Sequence, residues 1–333
     1  MCDQDQVIGM SGQNELLSNC PACNSGSAAS TGAIDSRMLI ASYEKFLGVR
    51  VADLFSGTRQ IVEMHCPRCD LVYFSPAIPG DERFYADLAR LPWYYMADKP
   101  EFSVAARFIA HGSRVLEVGC GQGAFADKLS SADYTGLEFS PAAATRAREA
   151  GLNVHQQSIE EHAVAHADYY DAACSFQVLE HTATPRQFIE SMSRCVRSGG
   201  RIIVSVPSED GFGGAVINDF LNLPPHHLTR WSDRALTDLG ASVGLKLESL
   251  LPESVAQYHL GRFLTSWIAC VFPLGLRGRP GNRVVTGVMR TQVWRVLARV
   301  SQTLVRTSPA AVQALADRTQ ARGHTVVAVF RKD

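Results

Sequence analysis

The chain has 333 residues, 46% apolar and 20% charged, with a formal net charge of −1, which fits a soluble enzyme with one sizeable core and an appended module. Nine cysteines, an odd number in so long a chain, argue against a disulfide framework and for thiols or metal ligands. The opening Met1-Cys-Asp-Gln-Asp-Gln6 has neither the basic region nor the apolar core of a secretory signal, so a cytoplasmic protein is expected.

Two cysteine pairs come first, Cys20-Pro-Ala-Cys23 and Cys66-Pro-Arg-Cys69. Each can grip one ion from a tight turn, and four thiolates make a closed tetrahedral Zn2+ site with no position left for water, hence structural and not catalytic. The pairs lie further apart than in the usual ribbon, so a hairpin or helix must be inserted, with residues 38–55 able to supply a helix. Residues 1–80 therefore read as a zinc-ribbon-like module; the alternative is reduced thiols in turns. A short helix at Asp81-Glu-Arg-Phe-Tyr-Ala-Asp87, an aromatic segment Pro92-Trp-Tyr-Tyr-Met96 and a helix over 100–110 follow.

Val115-Leu-Glu-Val-Gly-Cys-Gly-Gln-Gly-Ala-Phe125 is an apolar run that ends in an acid, Glu117, and a glycine cluster before a helical pattern. Gly119, Gly121 and Gly123 let the backbone bend sharply and approach a ligand. Such a pattern is weak alone. It gains force from Tyr134-Thr-Gly-Leu-Glu138, a second strand ending in an acid nineteen residues past Gly119, where a carboxylate can accept both hydroxyls of a ribose. Otherwise Glu138 merely precedes a helix opened by Ser140 or Pro141. The expected order is strand 113–118, helix 123–131, strand 134–138, helix 140–150, strands 154–158 and 171–176, helix 185–197, strand 201–206, helix 232–243, and strands near 245–251 and 324–331. This alternation predicts a doubly wound α/β sheet of Rossmann-like form, with ligands at the carboxyl ends of its strands. Cys174, Cys195 and Cys270 lie in apolar patterns and are expected to be buried and inert.

Residues 253–322 interrupt the last two strands with ten arginines, no lysine and two acids, a charge of +8 that leaves −9 for the rest. Such asymmetry points to an anionic partner. The apolar segment 263–276 is short and broken by Pro273, so it cannot span a bilayer. Residues 284–305 set Arg295 and Arg299 apart from Trp294, Leu297 and Leu304 in an amphipathic helix. Peripheral membrane contact through 260–306 is one expectation and a helical lid on the catalytic domain the other; nucleic acid has no supporting motif.

From about residue 90 to 250 the chain resembles the class I S-adenosylmethionine-dependent methyltransferases, in the branch similar to the ubiquinone and menaquinone O-methyltransferases. The motifs are those above together with Asp171-Ala-Ala-Cys-Ser-Phe-Gln-Val-Leu-Glu-His181 and Ser198-Gly-Gly-Arg-Ile-Ile-Val-Ser-Val-Pro207. The glycine spacing, with Ala124 where a dinucleotide fingerprint continues, favours the methyl donor over NAD. The resemblance implies a cofactor domain of 81–252 plus 323–333, with the last strand inserted antiparallel. It implies cofactor contacts from Glu117, the glycines, Phe125, Glu138, Phe139, Phe176 and Gln177, with Cys120 packed under the ligand. Ser158, where relatives place Asp, and Ile159 would touch the adenine; Tyr94, Tyr95 and Glu101 would meet the methionine end, unless the tyrosines and Trp93 are core. Similar bacterial enzymes also carry a small N-terminal zinc module.

Methyl transfer from a sulfonium is an in-line displacement, so the protein must position a nucleophile and exclude water. A hydroxyl acceptor must also lose its proton, and a neutral histidine suits that task. His181 follows the fourth strand; His226 and His227 lie in Pro224-Pro-His-His-Leu-Thr-Arg-Trp-Ser232, before a helix. Either group could instead order its turn. The expectation is O-methylation of a small molecule, a glycan or a lipid-linked intermediate, with anionic acceptors suited to the arginines. N- or C-methylation, or a non-catalytic zinc and cofactor scaffold, are the alternatives.

Overall fold

The computed structural model describes residues 19–91, 94–130, 132–272, 274–279, 281–284 and 288–333. Met1–Gln6, Pro92, Trp93 and Pro273 lie outside them. The chain begins with β1 (Ala29–Asp35), α1 (Ser36–Leu47), β2 (Gln60–His65) and β3 (Val72–Ser75). Asp35 caps α1 by accepting from the Arg37 amide, and Gly48 closes it at φ +68°. Leu39 and Tyr43 on α1, Ile61 on β2 and Phe74 on β3 share a core with Phe84 of α2 (Glu82–Leu88). The β1–β2–β3 meander does not end with its own module. Its fourth strand is β9 (Thr229–Arg230), which pairs with Val72 and Tyr73, so β1–β3 share a sheet with the segment that holds the histidine pair.

After α3 (Pro100–Ala106) the main sheet assembles from β4 (Arg114–Val118), β5 (Asp133–Leu137), β6 (Asn153–His155), β7 (Tyr170–Phe176), β8 (Val196–Pro207), β10 (Leu245–Ser254) and β11 (Arg322–Lys332). Their order is β10-β11-β8-β7-β4-β5-β6, and β11 runs antiparallel to both neighbours. The inner strands are buried on both faces, which is why they read as continuous apolar runs. The order reverses beside β4, and the crevice this opens beyond its carboxyl end is where such sheets bind ligands. Helices α4 (Pro141–Glu149), α5 (Ile159–Ala165), α6 (Pro185–Cys195) and α7 (Asp233–Ser242) connect the strands.

Four expectations are corrected. The helix over 123–131 shrinks to a 3-10 turn at Ala126–Lys128, because Gly123 at φ +84° closes a turn and Leu129 is already extended. The strand over 154–158 stops at His155, since Ser158 caps the unanticipated α5 in a capping box with Glu161. A further helix, α10 (Pro309–Arg318), follows the amphipathic one. Cys174 and Cys195 are buried, but Cys270 is exposed, because the last turn of α8 (Leu260–Val271) runs past its packing partners.

The arginine-rich segment forms α8, α9 (Val288–Thr307) and α10, whose Leu260, Phe263, Leu264 and Val312 pack on Phe212 and Val216, in the loop after β8. Its arginines divide by role. Arg262 pairs with Asp219 of that loop. Arg283, buried, bonds Glu63 of β2 at 3.1 Å and Glu209 at 2.5 Å, while Glu209 also accepts from Arg230 at 2.6 Å. These charges tolerate burial because each is paired, and the flanking guanidinium groups hold Glu209 below the usual carboxylate range. This chain of ion pairs joins β2, the loop after β8 and the helical segment.

Candidate active site

At the end of β4 the glycine turn is built by backbone. Gly119, Gly121 and Gly123 all have positive φ, and the amides of Gly119 and Cys120 donate to the Leu137 carbonyl at 2.8 and 3.0 Å. A β-carbon at Gly119 would collide with Val178, and one at Gly121 would lie 3.1 Å from the Tyr95 ring. The close approaches explain the glycines and leave a cradle that any side chain would fill. Glu138 stands over this turn, its Oε2 accepting from the Gly121 amide at 2.8 Å and its Oε1 from the Ser140 amide at 2.7 Å. Burial raises its carboxyl above the usual range. Glu117 is buried beneath, accepts from the Tyr134 hydroxyl at 2.5 Å and is pushed up to about 8 by burial.

Gln177, at the end of β7, has φ +58°, a backbone conformation that non-glycine residues adopt rarely and mostly where function requires it. Its amide reaches Glu101 at 3.4 Å and the hydroxyls of Ser205 and Thr325 at 3.5 Å. Glu101 is buried, which raises its carboxyl. Tyr95 is half-buried between the glycine turn and Tyr94, whose ring centroid is 5.2 Å away.

Beyond Tyr94 lies a cluster of three histidines. The Tyr94 hydroxyl is 3.4 Å from His226 Nε2, and the rings of His226 and His227 stack with centroids 4.6 Å apart. His181 meets both, at 4.5 and 4.9 Å, and Phe84 and Tyr85 of α2 pack against His226 and His181. The tautomers follow from the carbonyls. His181 Nδ1–H donates to His226 O at 2.5 Å and His226 Nδ1–H donates to Leu221 O at 2.9 Å, which leaves each Nε2 unprotonated, that of His226 as acceptor from the Tyr94 hydroxyl. Burial lowers the His181 pKa to about 4 and drives those of His226 and His227 well below 6.5, so all three imidazoles are neutral. Their ring nitrogens lie within 4.8 Å of one another, as metal-ligand atoms do.

Glu180, which the sequence reading left without a role, lies under this cluster. It is 1% exposed, neither carboxylate oxygen has a side-chain hydrogen-bond partner among the described residues, and Oε1 is 4.0 Å from His181 Nε2 and 3.9 Å from His227 Nε2. Burial pushes it up to about 8, so it is a neutral acid at physiological pH. Nothing in the local sequence marks this acid as buried.

The four cysteines converge. Cys20 Sγ is 3.5 Å from Cys69 Sγ and Cys23 Sγ is 3.6 Å from Cys66 Sγ, with all four sulfurs within 4.8 Å of one another. A tetrahedron with about 2.3 Å metal–sulfur bonds has edges of about 3.8 Å, so the set fits a zinc ion. Each pair sits on a tight knuckle: the Asn24 amide donates to Cys20 O and that of Asp70 to Cys66 O, with Asn24 at φ +56° and Asp70 at +66°.

The other residues expected at the cofactor are mostly engaged within the fold. Phe125 and Phe176 form an aromatic cluster with Phe102, with centroids 4.7–5.6 Å apart. Ile159 is buried and Ser158 caps α5. Phe139, in contrast, is largely exposed beside Glu138. Cys120 is buried and points at Gly136 and away from the turn's mouth.

Residues 89–250 match the model of a family described as methyltransferase domain. Ubiquinone biosynthesis O-methyltransferases of Salmonella arizonae and Cronobacter sakazakii are 35% and 38% identical over 108 and 102 residues, which is 30% and 28% of this chain and 45% and 42% of theirs. The chain thus spans less than half the length of these curated relatives. Among solved structures, an S-adenosylmethionine-dependent methyltransferase from Thermotoga maritima aligns at 17% identity and a TM-score of 0.46 over 76% of this chain and 97% of that one.

Proposed function

From a chain whose residues 89–250 form a class I S-adenosylmethionine-dependent methyltransferase domain, we propose an enzyme that methylates a hydroxyl oxygen of a small molecule, a glycan or a lipid-linked acceptor. Bound at the glycine turn, S-adenosylmethionine supplies an electrophilic methyl group. The chain's own residues do the rest. The Glu138 carboxylate is placed to accept ribose hydroxyls in exchange for its bonds to the Gly121 and Ser140 amides. Gln177 and Glu101 offer polar groups for the amino-acid end. The observation that carries the reading is His226. Its Nδ1 is fixed as a donor by Leu221 O and its unprotonated Nε2 faces the Tyr94 hydroxyl, so a neutral base stands in a buried aromatic cluster two rings from the glycine turn. The His181 ring packs against it, and Glu180 lies beside His181 and His227. The four-cysteine cluster holds a structural Zn2+ that fixes the knuckles beside the pocket.

Calorimetry with S-adenosylmethionine and S-adenosylhomocysteine, with NAD as control, tests the cofactor; binding of neither to folded protein favours the scaffold alternative. His226→Gln is expected to lower kcat by about 10²–10⁴-fold while leaving cofactor affinity unchanged. Unchanged kcat would remove His226 from the chemistry, and a methyl found on nitrogen or carbon of the product would replace O-methylation. The pH profile gives a second check. A base acts when unprotonated, and burial lowers this one, so kcat/KM should stay level as pH falls through 6.5 and decline only in more acidic solution. A limb at or above pH 6.5 would assign the titration to another group.

A further inference from the structure

One face of α9 is left uncovered. Met289, Val293, Val296, Val300 and Leu304 are all exposed, at 79%, 37%, 54%, 47% and 45%. At about 100° per residue they fall within about 80° of arc, a single stripe along a helix about 30 Å long. It is a separate surface from the one that packs: Trp294, Leu297 and Val305, on the neighbouring side, meet the helical cluster. Arg295, Arg299 and Arg306 are exposed on the opposite flank, about 100–140° from the stripe's midline, and none has an ion pair among the described residues. Phe272 and Leu274, also exposed, lie beside the helix's first turn, where Arg290 bonds the Gly275 carbonyl.

We infer that α9 docks in the plane of an anionic phospholipid surface, stripe downward, with Arg295, Arg299 and Arg306 at the level of the headgroup phosphates. A buried apolar stripe with arginines along its flank is how a helix is held at an interface. No helix among the described residues is long and apolar enough to cross a membrane, so the contact is lateral. Charge selects the occupant. Residues 254–316 contain no acid, and their exposed Arg295, Arg299 and Arg306 have no ion pair among the described residues, so a second copy laid against the same face would bring guanidinium groups against guanidinium groups, whereas lipid phosphates neutralise them. The inference rests on the helix surface alone and stands or falls independently of the methyl-transfer reading.

The test is sedimentation of the full-length protein with phosphatidylcholine vesicles containing about 30% phosphatidylglycerol, with pure phosphatidylcholine as control. Wild type is expected to pellet only with the anionic vesicles. Arg295→Gln with Arg299→Gln should lower partitioning about 25-fold, about fivefold for each arginine, and Val296→Asp with Val300→Asp should leave the protein in the supernatant. An unchanged thermal unfolding transition by circular dichroism shows that each variant is folded. Wild type remaining in the supernatant, or variants that partition as wild type does, would overturn the inference. So would a vesicle-free dimer in analytical ultracentrifugation that Val296→Asp abolishes, since the stripe would then belong to a second copy.

Discussion

The glycine turn and the histidine cluster are made differently. The turn, the proposed cofactor side, is local: a strand, three glycines at positive φ and an acid on the neighbouring strand, all within residues 114–140. The histidine cluster, the proposed acceptor side, is assembled from afar. His181 follows β7, while His226 and His227 lie on a loop that the N-terminal module holds through the β3–β9 pairing and through Tyr43, whose hydroxyl donates to Phe220 O at 2.8 Å and Leu223 O at 3.0 Å. A site with one local half and one borrowed half can keep its cofactor chemistry while its acceptor is changed by the parts packed around it.

That contrast can be broken from either side. The largest effect should come from Cys66→Ser, which opens the metal set and releases the sheet that carries β9; methyl transfer is expected to fall at least about 100-fold while cofactor affinity stays within about threefold. Loss of both together in folded protein would show that the halves are one unit. Gly119→Val works on the other half. Its left-handed backbone alone costs about 1–2 kcal/mol for a side chain, and the added carbons meet Val178, so calorimetry should show cofactor affinity down at least about tenfold with the four-cysteine module still holding zinc. Tyr43→Phe is the mildest. Removing one buried hydroxyl donor to the loop costs about 1 kcal/mol in denaturant unfolding, and KM for the acceptor should rise severalfold with kcat little changed. A change in kcat alone would mean that Tyr43 acts on the chemistry and not on the loop.

The same division explains what could be read from the sequence. Glu117, Gly119, Gly121, Gly123 and Glu138 were legible because a strand, a turn and a spacing constrain neighbouring residues. The four cysteines were legible because a closed ligand set needs only two pairs. The packing of Phe125 and Phe176 with Phe102 was not legible, because an aromatic next to a glycine turn looks the same in sequence whether it meets ligand or core. The helix at 159–165 was missed because its short polar stretch has little periodicity, although the Ser158 and Glu161 capping pair was visible. Glu180 gave no signal because burial without a partner is a property of the fold and not of the local sequence. The two-residue strand β9 is below the length at which any pattern can be read, and it proved to be the link between module and site.

That link bears on how such a chain can diverge. Tyr73 and Thr229 face each other across the strand pair, and Glu63 reaches Arg230 through Glu209 and Arg283. Residues 60–75, 207–231 and 283 are scattered in the sequence yet form one physically coupled unit. A chimera that exchanged the cysteine module alone would strand buried charges and unpair a strand, so recombination among relatives should preserve these segments as a set, while the glycine turn is free to travel without them.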